Sequence, residues 1–138
     1  MPEKIKIIHF EDEDSILNFY GQFFRDHDRF EYKHYYKPPA EKYELLELII
    51  LENPHLIITR IIMSEMNGFE LTGILKSDDR TKHITIFGLD NLYQPEDLAR
   101  IQEAGIDRYY VCTDCASSTF HTDVIQFFDE NNLPYYQN

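Results

Sequence analysis

Hydrophobic positions along the chain alternate between two periods. A short apolar, β-branched run, Leu56 to Thr59, predicts a strand buried on both faces, and Lys4 to Phe10, Ile84 to Leu89 and Arg108 to Val111 read as further strands. Phe30 to Tyr36 instead alternates and carries Lys33, the pattern of an edge strand. Between these runs the period becomes helical. Ile16, Phe19, Tyr20, Phe23 and Phe24 define one apolar face of a first helix, with Asp14 or Ser15 as its cap. Pro38-Pro39 opens a second helix through about Glu52, heavy in Leu45, Leu46, Leu48, Ile49 and Ile50. A third helix runs from about Asn67 to Lys76. A fourth opens at Gln94-Pro95-Glu96 and ends near Ala104, with Gly105 as its C-terminal cap. A fifth runs from Ser117 to about Glu130, with Phe120, Val124, Phe127 and Phe128 on one face. Five strand–helix repeats predict a mostly parallel sheet with helices on both sides.

Composition narrows the function more than the fold. A chain of 138 residues with 43% hydrophobic residues is one domain's worth. We expect residues 1–130 to form it and residues 131–138 to be a short tail. The net charge of −12 comes with no Lys/Arg stripe, which argues against nucleic acid and anionic lipid as partners. No stretch approaches the length of a membrane span, and no signal peptide opens the sequence. Two cysteines, Cys112 and Cys115, are too few for a disulfide framework and suit a reducing cytoplasm.

The stretch PHLIITRIIMSEMNG, Pro54 to Gly68, carries more information than any other. It is a buried strand followed by a loop that turns into a helix. In this frame it resembles the receiver domains of two-component response regulators, and the resemblance extends over about Lys4 to Glu130. It implies a flavodoxin-like (βα)5 three-layer α/β sandwich with strand order 2-1-3-4-5, whose functional groups lie at the carboxyl ends of the strands. In that family the third strand ends in the phosphate-accepting Asp; here the position is Arg60. Glu11 and Asp12 match the family's Mg²⁺-holding acidic pair. Asp90 and Asn91 stand where it has a Ser or Thr and a small residue. Cys112 and Thr113 stand where it has Lys and Pro. Tyr109 matches its aromatic switch residue, and Gly68 the glycine after the acceptor loop.

Arg60 is always protonated and has no lone pair, so it can be neither nucleophile nor metal ligand. The expectation is a degenerate phosphorylation pocket of Glu11, Asp12, Arg60, Asp90, Asn91 and Cys112, in which Arg60 ties Glu11, Asp12 or Asp90 together. No cofactor or metal is expected, Glu11 and Asp12 being relevant only if a cation binds. The chain then reads as a stand-alone, non-enzymatic pseudo-receiver that acts by protein–protein interaction. Its implied partner is another signalling protein, with a homodimer as an alternative. Tyr109 and Tyr110 belong to the interaction face that the family builds from its fourth helix, fifth strand and fifth helix. Two other readings compete. One is a thiol redox sensor using Cys112 and Cys115, although Asp114 between them disfavours a thiolate. The other is a phosphoreceiver with its acceptor displaced to Asp90. A flavodoxin-like FMN carrier is disfavoured by the carboxylates after the first strand, and a zinc site at Cys112, Cys115 and His121 lacks a fourth ligand.

Overall fold

The computed structural model describes residues 4–112 and 119–130. Its strands are β1 (Ile5–Phe10), β2 (Phe30–Tyr35), β3 (Leu56–Thr59), β4 (Thr85–Asp90) and β5 (Arg108–Val111). All pair in parallel in the order β2-β1-β3-β4-β5. The helices are α1 (Asp14–Asp26), α2 (Lys42–Glu52), α3 (Gly68–Lys76), α4 (Pro95–Glu103) and α5 (Thr119–Glu130). This is the flavodoxin-like sandwich that the alternating periods and the resemblance imply. Central β3 is fully buried along its length, while edge strand β2 exposes Glu31 and Lys33.

Strand alternation sends neighbouring side chains to opposite faces. Ile5, Ile7, Leu56, Ile58, Phe87 and Leu89 face Tyr20 and Phe24 of α1 and Phe120, Val124 and Phe128 of α5. Ile8, Phe10, Ile57 and Ile86 face Leu45, Leu46 and Ile49 of α2 and Leu71 and Leu75 of α3. A smaller cluster of Ile61, Ile101 and Ile106 seats α4. Each such aliphatic side chain removed from water contributes about 1.5–3 kcal/mol, so the sheet's two faces supply most of the cohesion.

Several local expectations are corrected. Pro38-Pro39 does not begin α2. The helix starts at Lys42, where the Glu41 carboxylate accepts from the backbone N–H groups of Tyr43 and Glu44. The N-cap of α1 is Glu13 rather than Asp14 or Ser15, and Glu13 makes no side-chain cap because its carboxylate is engaged elsewhere. Phe19 is 41% exposed and lies off the buried stripe of α1. At α3 the reading is firmer: Asn67 and Glu70 form a reciprocal capping box. Gly105 takes φ +90 just past α4, a conformation that suits a residue without Cβ.

Candidate functional site

The carboxyl ends of β1, β3 and β4 converge on Arg60. β1 runs into Glu11, Asp12 and Glu13, and the final residue of β4 is Asp90. The guanidinium Nη1 donates to Glu11 Oε2 at 3.2 Å and to Glu13 Oε2 at 2.5 Å, and Nη2 donates to Asp90 Oδ1 at 3.1 Å. Nε lies 3.7 Å from Asp12 Oδ1, an ion pair without hydrogen-bond geometry. Four carboxylates from two strand ends therefore surround one cation.

Burial differs sharply among them. The side chain of Glu11 is wholly buried and that of Asp90 is 4% exposed, while Asp12 and Glu13 are about half exposed. Burial pushes the Glu11 carboxyl up to about 7, although the Glu13 backbone N–H and the Arg60 charge both oppose the rise. For Arg60 burial works against the charge. The Glu13 hydrogen bond and the negative charges of Asp90 and Glu11 outweigh it, so its pKa lies above the ordinary arginine value. Arg60 is a permanent cation here.

Asp90 is the most saturated member. Its Oδ2 accepts from the backbone N–H groups of Ile61 and Ile62 at 3.0 and 2.8 Å, and its Oδ1 accepts from Asn91 N–H at 2.7 Å as well as from Arg60. One carboxylate thus joins the loop after β3 to the loop after β4. The β3–α3 loop is folded tightly enough to permit this. Gly68 N–H donates to Ile61 O at 2.8 Å, and a Cβ on Gly68 would lie 2.6 Å from Arg60 O. Only glycine fits that approach.

The donor set does not suit a divalent cation. The carboxylates that would supply its oxygens are turned onto a fixed guanidinium, and among the described residues no group of three or more His, Cys, Asp or Glu side chains is arranged to hold a metal. Beneath the cluster, His9 is fully buried. Its Nδ1 shares a 2.7 Å hydrogen bond with the Tyr32 hydroxyl, and its pKa is pushed down to about 3 by burial, then by the charges of His34 and Arg25.

The structure brings Glu11, Asp12, Arg60 and Asp90 together. Asn91 contributes its backbone N–H. Cys112 is buried at the end of β5 and reaches the site through its backbone, its N–H donating to Asp90 O at 2.8 Å. Thr113, Asp114 and Cys115 lie outside the described residues, as does the 131–138 tail. Glu13 is a member that sequence reasoning misses; its signal is position, two residues past Glu11 and immediately before α1. Tyr109 and Tyr110 do not share a face. Tyr109 packs with Ile61 and Ile106 and donates its hydroxyl to Leu92 O at 2.8 Å. Tyr110 lies on the opposite side of the sheet, edge-on to Phe120 and against Phe87. Period-two alternation of edge strand β5 enforces the split, so Tyr109 turns to the α4 side and Tyr110 to the α5 side.

No protein-family model matches the chain. It is 33% identical over 66 residues to the polar-differentiation response regulator DivK of Brucella anthropi, a match covering 48% of this chain and 54% of that protein. The chain thus spans about half the length of the curated relatives it matches. The signal receiver domain of a DNA-binding response regulator from Colwellia psychrerythraea superposes with a TM-score of 0.76 at 19% identity, covering 92% of this chain and 99% of that one. Chemotaxis protein CheY4 of Vibrio cholerae gives 0.72 at 19% identity over 91% and 98%. These solved structures share the fold, and the DivK match adds sequence likeness over 66 residues. Five parallel strands in the order β2-β1-β3-β4-β5 give the chain the fold of the response-regulator receiver domains it superposes on, and the DivK match adds a local sequence likeness to a response regulator.

Proposed function

We propose that this receiver domain is a pseudo-receiver, a signalling module that acts by binding another protein without being phosphorylated at the end of β3. The observation that carries the reading is Arg60, whose guanidinium is bonded to Glu11, Glu13 and Asp90 at the end of β3. Phosphoryl transfer to a receiver needs an accessible carboxylate and fixed positive charge around the incoming phosphoryl oxygens. At this end of the sheet the cation is already neutralised by carboxylates. Asp90, the displaced-acceptor candidate, is 4% exposed with both oxygens occupied, which disfavours it as a nucleophile. Tyr109 is likewise tied down, since its hydroxyl bonds the loop that follows Asp90. These fixed loops support a binder of constant shape.

The test is incubation with acetyl phosphate and Mg²⁺, followed by intact-mass spectrometry. The expected result is no gain of a phosphoryl group, in the parent or in Asp90→Asn. A parent adduct that Asp90→Asn abolishes overturns the reading in favour of a displaced acceptor.

A further inference from the structure

Helix α2 is apolar almost all the way round: in KYELLELIILE only Lys42, Glu44, Glu47 and Glu52 are charged. A helix of that kind is ordinarily buried on every side. Here only one side is covered. Leu45, Leu46 and Ile49 pack on the sheet, while Leu51 is 81% exposed, Tyr43 70% and Ile50 37%. Ile50 and Leu51 adjoin, and Glu47 separates them from Tyr43 one turn further back along the same face. With Leu46, Glu47 and Arg80 they line an open groove of about 470 Å³ along the outer face of α2. Isolated exposed apolar residues need no explanation, but three large ones lining a single groove mark a contact surface.

The charges around the groove select its occupant. Glu44 and Glu47 are exposed and make no side-chain ion pair among the described residues. The nearby cation Arg80 is already held by Asp78, through Nε at 3.0 Å and Nη2 at 2.8 Å. Lys42, exposed with its Nζ 5.8 Å from the Tyr43 ring centroid, offsets one of the two glutamates, and the unmatched charge on this face remains negative. A second copy docked by two-fold symmetry would bring Glu47 and Glu44 against their own equivalents, which disfavours self-association here. We infer that the outer face of α2 is a docking surface for an amphipathic helix of a partner protein, with apolar side chains at i, i+3, i+4 and i+7 flanked by Lys or Arg. The apolar anchors enter the groove beside Ile50 and Leu51, and the flanking cations meet Glu44 and Glu47.

This inference deepens the reading that the chain acts by binding, and it rests on α2 alone rather than on Arg60. Phosphoryl labelling and α2 docking can therefore fail separately. The test uses a dye-labelled, roughly 18-residue helical peptide with Leu anchors and Lys flanks, titrated against the full chain by fluorescence anisotropy, with amide shifts mapped by NMR. Expected are saturable binding, shifts centred on residues 42–52, and a loss of affinity of about tenfold or more both in Ile50→Ser/Leu51→Ser and in Glu44→Gln/Glu47→Gln. Sedimentation should show a monomer throughout. Any of three results overturns the inference: equal binding by the variants, a dimer that the Leu51 variant dissolves, or binding that appears only after residues 131–138 are removed.

Discussion

Replacing Arg60 with Met keeps most of the side-chain volume and removes only the charge and its donors. Glu11, wholly buried, then keeps a single hydrogen bond, from Glu13 N–H, while Asp90 keeps three backbone donors. The damage should therefore concentrate on Glu11. Removing one partner from a buried ion pair costs about 3–5 kcal/mol, and the cushioning of Asp90 places this case near 3 kcal/mol at pH 8. The sign of the pH dependence follows from Glu11. Burial pushes its carboxyl up to about 7 from the ordinary 4.5, and removing the cation beside it favours the protonated form further. Every tenfold gain in its proton affinity corresponds to about 1.4 kcal/mol of stability that is present at low pH and lost as pH rises through the folded-state value. At pH 5 both proteins hold Glu11 protonated, so the penalty should shrink to roughly half or less. Urea unfolding of parent and variant at pH 5 and pH 8 reads this, because the difference at each pH cancels the titration of groups that Arg60 does not touch. A penalty equal at the two pH values, or absent at pH 8, would refute the account of Arg60 as an electrostatic tie.

Other consequences can be checked the same way. Gly68→Ala forces a Cβ against Arg60 O and Ile61 Cα, and should cost about 1–3 kcal/mol in a thermal melt, more than a surface glycine change. Asn67→Ala removes the α3 capping box and should lower stability by about 1 kcal/mol with an unchanged urea m-value. Glu11→Gln should gain on the parent as pH rises from 5 to 8, since the parent alone bears the growing cost of ionising a buried carboxyl; a flat difference across that range would contradict the raised value. His9, depressed to about 3 from 6.5, contributes stability that is full above pH 6.5 and lost as pH falls toward 3, so its NMR ring signals should not titrate between pH 5 and 8.

The sheet was legible because buried parallel strands leave unbroken apolar runs, as Leu56 to Thr59 does, and because Lys33 marks an edge. Helix starts were less so, for identifiable reasons. Glu41 caps α2 although glutamate is not a usual capping residue, and Pro38-Pro39 offered a stronger local signal several residues too early. Glu13 fails to cap α1 because a residue from a distant strand claims its carboxylate, a preference that no local window contains. The gathering of carboxylates around Arg60 was foreseeable from strand ends, but the backbone donors of Ile61 and Ile62 were not. They depend on how the loop closes over Gly68. The opposed faces of Tyr109 and Tyr110 could have been read from alternation alone.

Asp90 carries one further implication. A carboxylate that takes bonds from Arg60, Ile61, Ile62 and Asn91 acts as a rivet through two loops, and shifting either loop means breaking several bonds at once. Under the proposed function, a domain riveted in this way keeps one arrangement of these two loops. Under the proposed function its output would follow the law of mass action: how much of the protein the cell makes, how fast it is degraded, and who competes for it. Control would pass from chemistry on the domain to its dosage.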